Sequence, residues 1–406
     1  MTDSRESSSG SGAAGRPAKI AHVITRMIIG GAQENTLYNC LDLIDLHGDD
    51  VVLITGPTEG PEGRLLEEGR AGGLKVVVLP DLQRAISPLP DRRAYRGLQR
   101  VIDEFKPDVV HTHSAKGGFL GRAAAWNRRV PTIIHTVHGA PFHPFQSALA
   151  RKLFIHLERW AARRCHHMIC VADAMTELMV GAGVAKQDKF TTIYSGMDVE
   201  PFVRSGSLRS EARERLGIQQ DEVVVGKIAR FFNLKGHEYL IEAAREVLAK
   251  NPKCRFLLVG DGVLREEIES KLAAYGIADK FILPGLVRPE DVPYYLSAMD
   301  TLVHTSLREG LARTLPQALI SGKPVISYDV DGAREVVLDG QTGFLLPPKS
   351  VGELAEAILK LVQDSDLRTQ MGQEGARRFT EQFRHQFMTR RIREVYTRFG
   401  APRPQR

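Results

Sequence analysis

Charged residues in the second half of the sequence follow apolar runs at spacings that suit an anion. Arg230 comes just after the run Val223 to Ile228, and Lys235 stands at the start of the helical pattern that follows. A cation in that place opposes the helix dipole, and a bound diphosphate would relieve this, held by a bidentate guanidinium and an ammonium. Two solvated surface charges are the alternative interpretation.

The segment Ser306 to Ser327 holds a second group of candidates. Its turn carries Glu309 and Gly310, and the residues Thr314 to Gln317 suggest a capping box with proline in the first helical turn. A carboxylate in such a turn can accept sugar hydroxyls while helix-end amides face a phosphate. The segment therefore suits a sugar nucleotide, although Gln317 could simply close a helix end.

Two further turns follow apolar runs in the first half of the chain. His138 and Gly139 come after Thr132 to His135, where a packed or capping histidine is the alternative to one that meets a ligand. Gly30 and Gly31 precede a helical pattern, so their backbone could approach an anion at a helix N-terminus or form a plain tight turn. Position alone makes these residues candidates.

Several common sites are absent from the sequence. The dinucleotide fingerprint G-x-G-x-x-G fails because Arg265 stands where a third glycine should follow Gly260 and Gly262, and no Walker A sequence occurs. The string RCHHMIC leads into an apolar strand, so Cys165 and Cys170 are predicted to be buried thiols and not zinc ligands. No metal is assigned.

Composition limits the class of protein. The 406 residues, of which 43% are hydrophobic, suit two α/β domains. The four cysteines lack CxxC spacing, which suits a reducing cytosol, and no run approaches the roughly 18 apolar residues of a membrane-spanning helix. A net charge of +6 admits anionic partners, but without a nucleic-acid motif or stacking platform we expect no nucleic acid.

The elements that must position these candidates are short apolar runs separated by helical patterns. A first series of predicted strands comprises Ile20–Thr25, Val51–Thr55, Leu74–Leu79, Val109–His113, Thr132–His135, Met168–Val171 and Thr191–Tyr194. A second series comprises Val223–Ile228, Arg255–Val259, Phe281–Leu283, Thr301–His304, Pro324–Ser327 and Gly343–Leu346. This alternation predicts two Rossmann-like parallel sheets covered by helices, with ligands outside the carboxyl ends of the strands.

The same pattern predicts the limits of the domains. Residues 1–18 form a Ser/Gly/Ala-rich tail that is expected to be disordered and not to act as a secretory signal. The first domain then covers residues 19–203 and the second covers 204–383, with the polar segment Arg204 to Ser210 as a hinge.

A series of motifs runs in order along nearly the whole chain after the tail. They are GGAQ, HTHSAKGGFLGR, HTVHGAPFH, VADAMTELM, IYSGMDVEPF, ARFFNLKG, VGDGVLREEIE, FILPGLV, SLREGLARTLPQALISGKPVIS and GAREVVLDGQTGFLLPP. Together they resemble glycosyltransferase family 4, the group 1 transferases, whose fold is GT-B. The resemblance implies an N-terminal lobe for the acceptor, a C-terminal lobe for a nucleotide sugar, and a cleft between them. It also implies a last helix, at residues 384–399, that crosses back to the first lobe.

The resemblance implies roles for individual residues. Arg230 and Lys235 would neutralise the donor diphosphate and Glu309 would hold hydroxyls of the transferred sugar. His138 would lie beside the anomeric centre. The family has a second glutamate eight positions after the first, which binds the ribose; here Gln317 takes its place and loses the charge-assisted part of that bond. Further donor contacts are implied at Gly30, Gly31, Gly285, Leu286, Val287, Gly310, Leu311 and Ala312.

The implied reaction is transfer with retention of configuration and without a metal. Its co-substrate would be a nucleotide-diphosphate sugar of the UDP or GDP type, with no other cofactor, and its leaving group needs only charge neutralisation. A carboxylate nucleophile and front-face attack by the acceptor hydroxyl are both compatible with retention. We expect front-face attack because no residue stands out as a nucleophile. Asp329 to Asp331 reads DVD, like the metal-binding motif of another transferase fold, but Gly332 and Glu335 fit the present family.

The acceptor is less well defined. The predicted strand exit in the acceptor lobe carries His111, His113, Ser114 and Lys116. Lys116 could meet a phosphate or carboxylate, or the segment could cap a helix. The resemblance implies a glycan or lipid-linked acceptor in surface polysaccharide or glycoconjugate assembly. The enzyme would then lie in the cytoplasm or peripherally on the inner face of the membrane.

One helical segment, QSALARKLFIHLERWAARRC, bears on that location. Its apolar stripe consists of Leu149, Leu153, Leu157 and Trp160, and its basic residues are Arg151, Lys152, Arg159, Arg163 and Arg164. Such a helix could lie on an anionic membrane surface. A core helix with a solvated basic face is the alternative.

Two other classes of protein share parts of the pattern. An NAD(P)-dependent oxidoreductase would have the same sheets but should carry the glycine fingerprint that is missing here. A non-catalytic, two-lobed protein that binds a sugar nucleotide stays open, in particular because Gln317 replaces a glutamate.

Overall fold

The computed structural model describes residues 16–28, 30–57, 64–143 and 146–402. The tail predicted for residues 1–18 lies outside the described residues up to residue 15. Within the described ranges, each strand from Lys19 onward is followed by one or more helical segments, up to Arg398. No helix in these ranges combines the length and the apolar character that crossing a membrane would require.

The strands form two sheets. They are β1 (Lys19–Val23), β2 (Asp50–Thr55), β3 (Lys75–Val78), β4 (Val109–His113), β5 (Thr132–Val137), β6 (His167–Cys170), β7 (Phe190–Thr192), β8 (Val223–Ile228), β9 (Cys254–Val259), β10 (Phe281–Gly285), β11 (Thr301–His304), β12 (Val325–Tyr328) and β13 (Gly343–Leu346). The first sheet has the order β3-β2-β1-β4-β5-β6-β7 and the second has the order β10-β9-β8-β11-β12-β13. Paired strands run parallel in both sheets.

Helices connect the strands, as parallel pairing requires. They are α1 (Gly31–His47), α2 (Arg64–Ala71), α3 (Pro88–Phe105), α4 (Ala115–Asn127), α5 (Ala148–Ala162), α6 (Asp173–Gly181), α7 (Glu200–Val203), α8 (Arg209–Arg215), α9 (His237–Lys250), α10 (Arg265–Ala274), α11 (Val292–Ala298), α12 (Thr314–Ile320), α13 (Val351–Gln363), α14 (Ser365–Phe379) and α15 (His385–Arg398).

The two series of predicted strands are confirmed. Each one overlaps an observed strand, and no boundary differs by more than two residues. The reason is visible in the second sheet, where successive residues of one strand enter different cores. Val225 and Val303 pack in one apolar cluster, whereas Val224 and Leu302 pack in the other. Because both faces are covered, the strands are continuously apolar and stand out in the sequence.

The chain divides into two compact units. One comprises the chain up to Thr136, Trp160–Met168 and the chain from Thr389 onward, and the other comprises Val137–Arg159 and Ile169–Met388. The first unit therefore includes most of α15, where the buried Arg393 donates to Asp49 at 2.8 Å. The domain limits proposed from the sequence, 19–203 with 384–399 and 204–383, stay predictions.

Candidate functional site

Lys235 is placed by the glycine that follows it. Gly236 has a left-handed backbone, with φ of 68°, and a Cβ there would lie 2.0 Å from the carbonyl oxygen of Thr305. Only glycine therefore lets the segment before α9 pack directly on the chain that leaves β11. Lys235 stands two residues before α9, slightly outside the first helical turn that the sequence suggested for it.

The Lys235 ammonium donates a hydrogen bond to Oε1 of Glu309, in the loop after β11. Both side chains are largely buried, at 23% and 21% exposure. The strands that lead to them, β8 and β11, are neighbours in the second sheet. The sequence predicted a diphosphate between Arg230 and Lys235, which stays a prediction, and within the protein Lys235 is paired with the Glu309 carboxylate.

Charges around Glu309 keep it ionised. Burial raises the pKa of this carboxyl, but favourable neighbours outweigh burial and hold the pKa below its ordinary value. Nε2 of His304 lies 3.8 Å from Oε1, yet burial lowers the pKa of His304 to about 3, so its ring is neutral at pH 7. We therefore attribute the depression of the Glu309 pKa to the charge and the hydrogen bond of Lys235.

The two aspartates of the DVD string make separate contacts within the protein. Asp331 Oδ2 accepts a hydrogen bond of 2.6 Å from the Glu309 amide and so fixes the loop that carries the carboxylate. Asp329 accepts from the Arg334 guanidinium, at 2.9 Å from Nε. The string thus holds its own loops, and this role was not predicted from the sequence.

Arg230 is exposed at the end of β8, close to the Lys235 segment. Its guanidinium lies 5.2 Å from the centre of the Phe232 ring, a cation–π contact. Nε2 of His237 lies 3.1 Å from the Arg230 carbonyl oxygen, and this acceptor requires that Nε2 carry the proton. Burial lowers the pKa of His237 to about 3, so the ring is neutral and ties the Arg230 turn to the start of α9.

A buried lysine supports the same loops from below. Lys227 on β8 is fully buried, and its ammonium donates to Oγ1 of Thr305 at 2.8 Å. The Thr305 hydroxyl in turn donates to the Gly236 carbonyl at 2.6 Å. Burial, with a smaller effect from Lys235, lowers the pKa of Lys227 to about 7. Lys227 was not predicted as a site residue because it lies inside an apolar run of the sequence.

The structure brings His138 to the loop that contains Glu309. A Cβ on Gly310 would lie 3.0 Å from the His138 carbonyl oxygen, so the absence of a side chain permits this close approach. Two residues further on, the Ala140 carbonyl accepts a hydrogen bond of 3.2 Å from Arg308. Burial lowers the pKa of His138 to about 4, so its imidazole is neutral at pH 7.

The capping box predicted at α12 is wrong. Thr314 is the first residue of the helix, and among the described residues no side chain caps this end. Arg313, which precedes it, already has a helical backbone with φ of −59° and ψ of −28°. The threonine is therefore inside the helix and cannot reach back over its end. Gln317 is half-buried on α12, and its contact with ribose stays a prediction.

The remaining donor candidates in this unit lie at strand exits of the second sheet. Gly285 ends β10 with φ of 85°, and its carbonyl accepts from the Gly260 amide at 3.0 Å. Leu286 is 78% exposed, whereas Val287 packs partly against the core.

In the loop after β11, Leu311 and Ala312 are half-buried. No backbone carbonyl among the described residues accepts a hydrogen bond from the amides of Gly310, Leu311 or Ala312. In the other unit, Gly31 begins α1, and the Gly30 carbonyl accepts from the Gln33 and Glu34 amides.

The acceptor candidates of the first unit are already engaged. Oγ of Ser114 lies 2.8 Å from Oγ1 of Thr25, and the Ser114 residue itself is left-handed, with φ of 59°. Lys116 forms an ion pair with Asp91 and donates to the Ala85 carbonyl. Their roles toward an acceptor stay predictions.

Three histidines of β1 and β4 form a buried cluster. His22, His111 and His113 offer nitrogen atoms within 4.8 Å of one another, the one group in the described chain whose geometry could hold a metal. Nδ1 of His22 lies 3.0 Å from Nε2 of His113. The nitrogens of His111 lie 2.5 Å from the Tyr396 hydroxyl and 2.7 Å from Oγ1 of Thr136.

A metal at these histidines would displace hydrogen bonds, so the absence of a metal stays our prediction. In the string that resembled a zinc site, Cys165 and Cys170 are buried thiols, as predicted.

Two family models match the chain. The model described as "Glycosyl transferases group 1" matches residues 209–378, and the model described as "Glycosyl transferase 4-like domain" matches residues 31–196. The first of these regions contains Arg230, Lys235 and Glu309, and the second contains His138.

Curated relatives resemble the chain over most of its length. The Escherichia coli UDP-Gal:alpha-D-GlcNAc-diphosphoundecaprenol alpha-1,3-galactosyltransferase is 28% identical over 86% of this chain and 89% of its own. The Staphylococcus aureus capsular polysaccharide biosynthesis glycosyltransferase CapM is 23% identical over 79% of this chain and 84% of its own. These relatives do not favour an oxidoreductase or a non-catalytic protein.

Solved structures share the fold. Anabaena Alr3699/HepE, in complex with UDP and glucose, superposes with a TM-score of 0.79 at 22% identity and covers 94% of this chain and 99% of its own. Sucrose-phosphate synthase from Thermosynechococcus elongatus gives a TM-score of 0.75 at 19% identity, covering 94% of this chain and 99% of its own. The predicted fold class, GT-B, is confirmed.

Proposed function

The chain belongs to the group 1 glycosyltransferases, and from that premise we propose that it transfers a sugar from a nucleotide-diphosphate donor with retention of configuration. The sugar is a hexosyl or N-acetylhexosaminyl group, the nucleotide is of the UDP or GDP type, and no metal takes part. The acceptor is a hydroxyl of a glycan or lipid-linked glycan, and the product belongs to surface polysaccharide or glycoconjugate assembly.

The observation that carries this proposal is the pairing of Lys235 with Glu309, beside Arg230. Two cationic side chains and one ionised carboxylate stand at the carboxyl ends of two neighbouring parallel strands, where such sheets bind ligands. A diphosphate needs the cations and a sugar needs the carboxylate. A nucleoside-diphosphate sugar satisfies both requirements with one molecule.

The proposed chemistry relies on the leaving group. Arg230 and Lys235 stabilise the charge that develops on the diphosphate as the bond from the anomeric carbon to oxygen breaks. The acceptor hydroxyl attacks that carbon from the same face, and its proton passes to the departing phosphate oxygen. Attack on this face retains the configuration. Glu309 holds the sugar hydroxyls, and the neutral His138 stands beside the anomeric centre.

The remaining donor and acceptor contacts follow the same assignment. Gly285, Leu286 and Val287 face the base, while the amides of Gly310, Leu311 and Ala312 and the glycines Gly30 and Gly31 approach the phosphates or the sugar. Gln317 accepts a ribose hydroxyl through its amide oxygen. His113, Ser114 and Lys116 belong to the acceptor side.

The relatives support the class of acceptor and the place of the reaction. The name of the E. coli relative specifies a lipid-linked diphosphate acceptor, and that of the S. aureus relative specifies capsular polysaccharide. We propose that this protein works in the cytoplasm or peripherally on the inner face of the membrane, with an anionic membrane surface as a further partner.

Nucleotide titration tests the donor site first. UDP, GDP and ADP are titrated by calorimetry against the wild type, Arg230→Ala and the control Arg204→Ala, whose side chain is 78% exposed. A ligand that binds the folded state must also raise its unfolding temperature. The proposal expects one nucleotide to bind the wild type and the control about equally and the Arg230 variant at least about tenfold more weakly. Equal binding to all three proteins would remove Arg230 from the site.

Transfer itself is then measured with sugar conjugates of the nucleotide that binds. The anomeric configuration of the product is read by NMR coupling constants, with and without EDTA. The proposal expects the configuration of the donor and an unchanged rate in EDTA. An inverted product would contradict retention, and a rate that falls in EDTA and returns with Mg²⁺ would contradict transfer without a metal.

A further inference from the structure

Helix α5 exposes the apolar stripe that the sequence placed on it. Leu149 is 80% exposed, Leu153 55%, Leu157 37% and Trp160 38%. Their spacing of four, four and three residues keeps them within about 80° of one helix face. A core helix would bury such a stripe. Because these four side chains are exposed, the core-helix alternative does not hold for them.

The opposite face of α5 is the one that packs against the protein. It carries Glu158, Ala161 and Ala162, which are buried, and Phe154 and Ile155, which are half-buried. The helix is therefore held by one side and presents its apolar stripe on the other. The stripe is exposed because the opposite face of α5 is the one that packs against the protein.

Cations border the stripe. Lys152 is exposed beside it, Arg163 is exposed just past the end of α5, and the Arg164 guanidinium lies 3.5 Å from the centre of the Trp160 ring. Arg159 instead donates to the carbonyls of Ala182 and Gly183, so it holds the helix in place. Between Gln146 and Cys165 the sequence contains five cations and a single acid, the buried Glu158.

We propose that α5, through Leu149, Leu153, Leu157 and Trp160, docks the protein on an anionic lipid bilayer. Exposed apolar side chains bordered by lysine and arginine are the chemistry of a helix that lies in the headgroup layer of such a bilayer. The cations meet lipid phosphates while the stripe enters the acyl boundary. The inference rests on the proposed function in one respect: a lipid-linked acceptor would be presented at that surface.

Docking is tested with the full chain and vesicles, in the absence of donor and acceptor. Sedimentation is compared for vesicles of phosphatidylcholine with phosphatidylglycerol and for pure phosphatidylcholine, at low and high salt. The variants are Leu149→Ser/Leu153→Ser, which reduces the stripe, and Lys152→Glu/Arg163→Glu, which reverses its border. Leu46→Ser, at an exposed leucine of α1, and Lys250→Glu, at an exposed lysine of α9, are the matched controls.

We expect the wild type and both controls to bind anionic vesicles at low salt, and the leucine variant to bind at least about tenfold more weakly. The lysine and arginine variant should lose the preference for anionic lipid. A water-soluble acceptor separates this inference from the proposed function, because transfer to it should survive in every variant. A wild type that leaves anionic vesicles unbound overturns the docking surface. A dimer that only the leucine variant dissociates, without vesicle binding, would assign the stripe to a second copy instead.

Discussion

The Lys235 ammonium and the Glu309 carboxylate, two groups assigned to different parts of one donor, bind each other in this structure. Both side chains are more than three-quarters buried. An unpaired charge at such a position would destabilise the folded protein. In the proposed function, donor binding exchanges these partners: the ammonium moves to the diphosphate and the carboxylate moves to sugar hydroxyls. Until then, each of the two buried groups has a partner in the other.

Replacing Lys235 by alanine should slow transfer. The variant loses one charge-assisted contact to the diphosphate, which corresponds to roughly 1.5 to 3 kcal/mol, or about 10- to 100-fold in rate. Steady-state kinetics with the preferred donor measure kcat/KM, and Lys250→Ala, at an exposed lysine of α9, is the control. Turnover equal to that of the control would remove Lys235 from the site.

Replacing Glu309 by glutamine should separate turnover from nucleotide binding. The neutral amide holds the Lys235 ammonium less strongly, so a nucleoside diphosphate without a sugar should bind as well as to the wild type or better. Transfer should fall about tenfold or more, because the charge-assisted bonds to the sugar are lost. Calorimetry with the diphosphate and kinetics with the full donor give the two values. If both fell by the same factor, Glu309 would serve the shape of the diphosphate site and not the sugar.

Replacing Gln317 by glutamate should restore the second carboxylate of the family motif. A charge-assisted bond to a ribose hydroxyl is roughly twice as strong as its neutral counterpart, so the diphosphate should bind several-fold more tightly. The gain should shrink with a deoxyribose analogue, which lacks one of the hydroxyls. Gln373→Glu, at an exposed glutamine of α14, controls for the added charge. The same gain with ribose and deoxyribose would place residue 317 away from the missing hydroxyl.

The fold was predictable because its signal is local. A strand buried on both faces is an uninterrupted apolar run, and the helices between such runs leave parallel sheets as the arrangement. The ends of strands such as β8 and β11 then indicated where charged residues would gather. Arg230, Lys235 and Glu309 were proposed in this way as candidate site residues, from position and residue type.

The support of the site was not predictable in the same way. Lys235 and Glu309 are 74 residues apart in sequence, and their contact depends on the adjacency of β8 and β11 in the sheet. Lys227 lies within an apolar run, and burying a lysine there without a partner would be unfavourable. Its partner, Thr305, lies 78 residues away in the sequence and is visible only in the structure. At α12 the local pattern misled, because Arg313 extends the helical backbone past the residue that was expected to cap it.

The pH dependence of stability should report the buried Lys227. Burial lowers the pKa of Lys227 from an ordinary value of 10.5 to about 7. Between these values the unfolded chain holds a proton that the folded chain has released, so this lysine makes stability rise with pH. The slope is at most about 1.4 kcal/mol per pH unit, and below about pH 7 the contribution is level.

Lys227→Met should lose that rise and keep the volume of the side chain. Urea unfolding at about pH 7, 8 and 9 measures the free energy of unfolding of both proteins. Other groups that titrate in this window, such as Lys323, contribute to both and cancel in the difference. The difference should grow with pH in favour of the wild type, and a difference that is flat would show that Lys227 stays protonated in the folded protein.

The position of Lys235 should depend on the missing side chain of Gly236. A Cβ there would lie 2.0 Å from the Thr305 carbonyl oxygen, on a backbone that is also left-handed. Gly217 provides a matched control, because its φ of 65° is nearly the same and nothing lies within 4 Å of its Cβ position. Gly217→Ala therefore carries the backbone strain alone, about 1 kcal/mol in the free energy of unfolding.

Gly236→Ala should lose at least about 2 kcal/mol more than that control, since the strand exit and the segment before α9 must separate. At temperatures where the variant remains folded, nucleoside diphosphate binding should also weaken, because Lys235 moves with the segment. Urea unfolding and calorimetry measure the two effects, and the control should bind as the wild type does. Equal unfolding free energies for the two alanine variants would mean that the close packing on Thr305 does not set the place of Lys235.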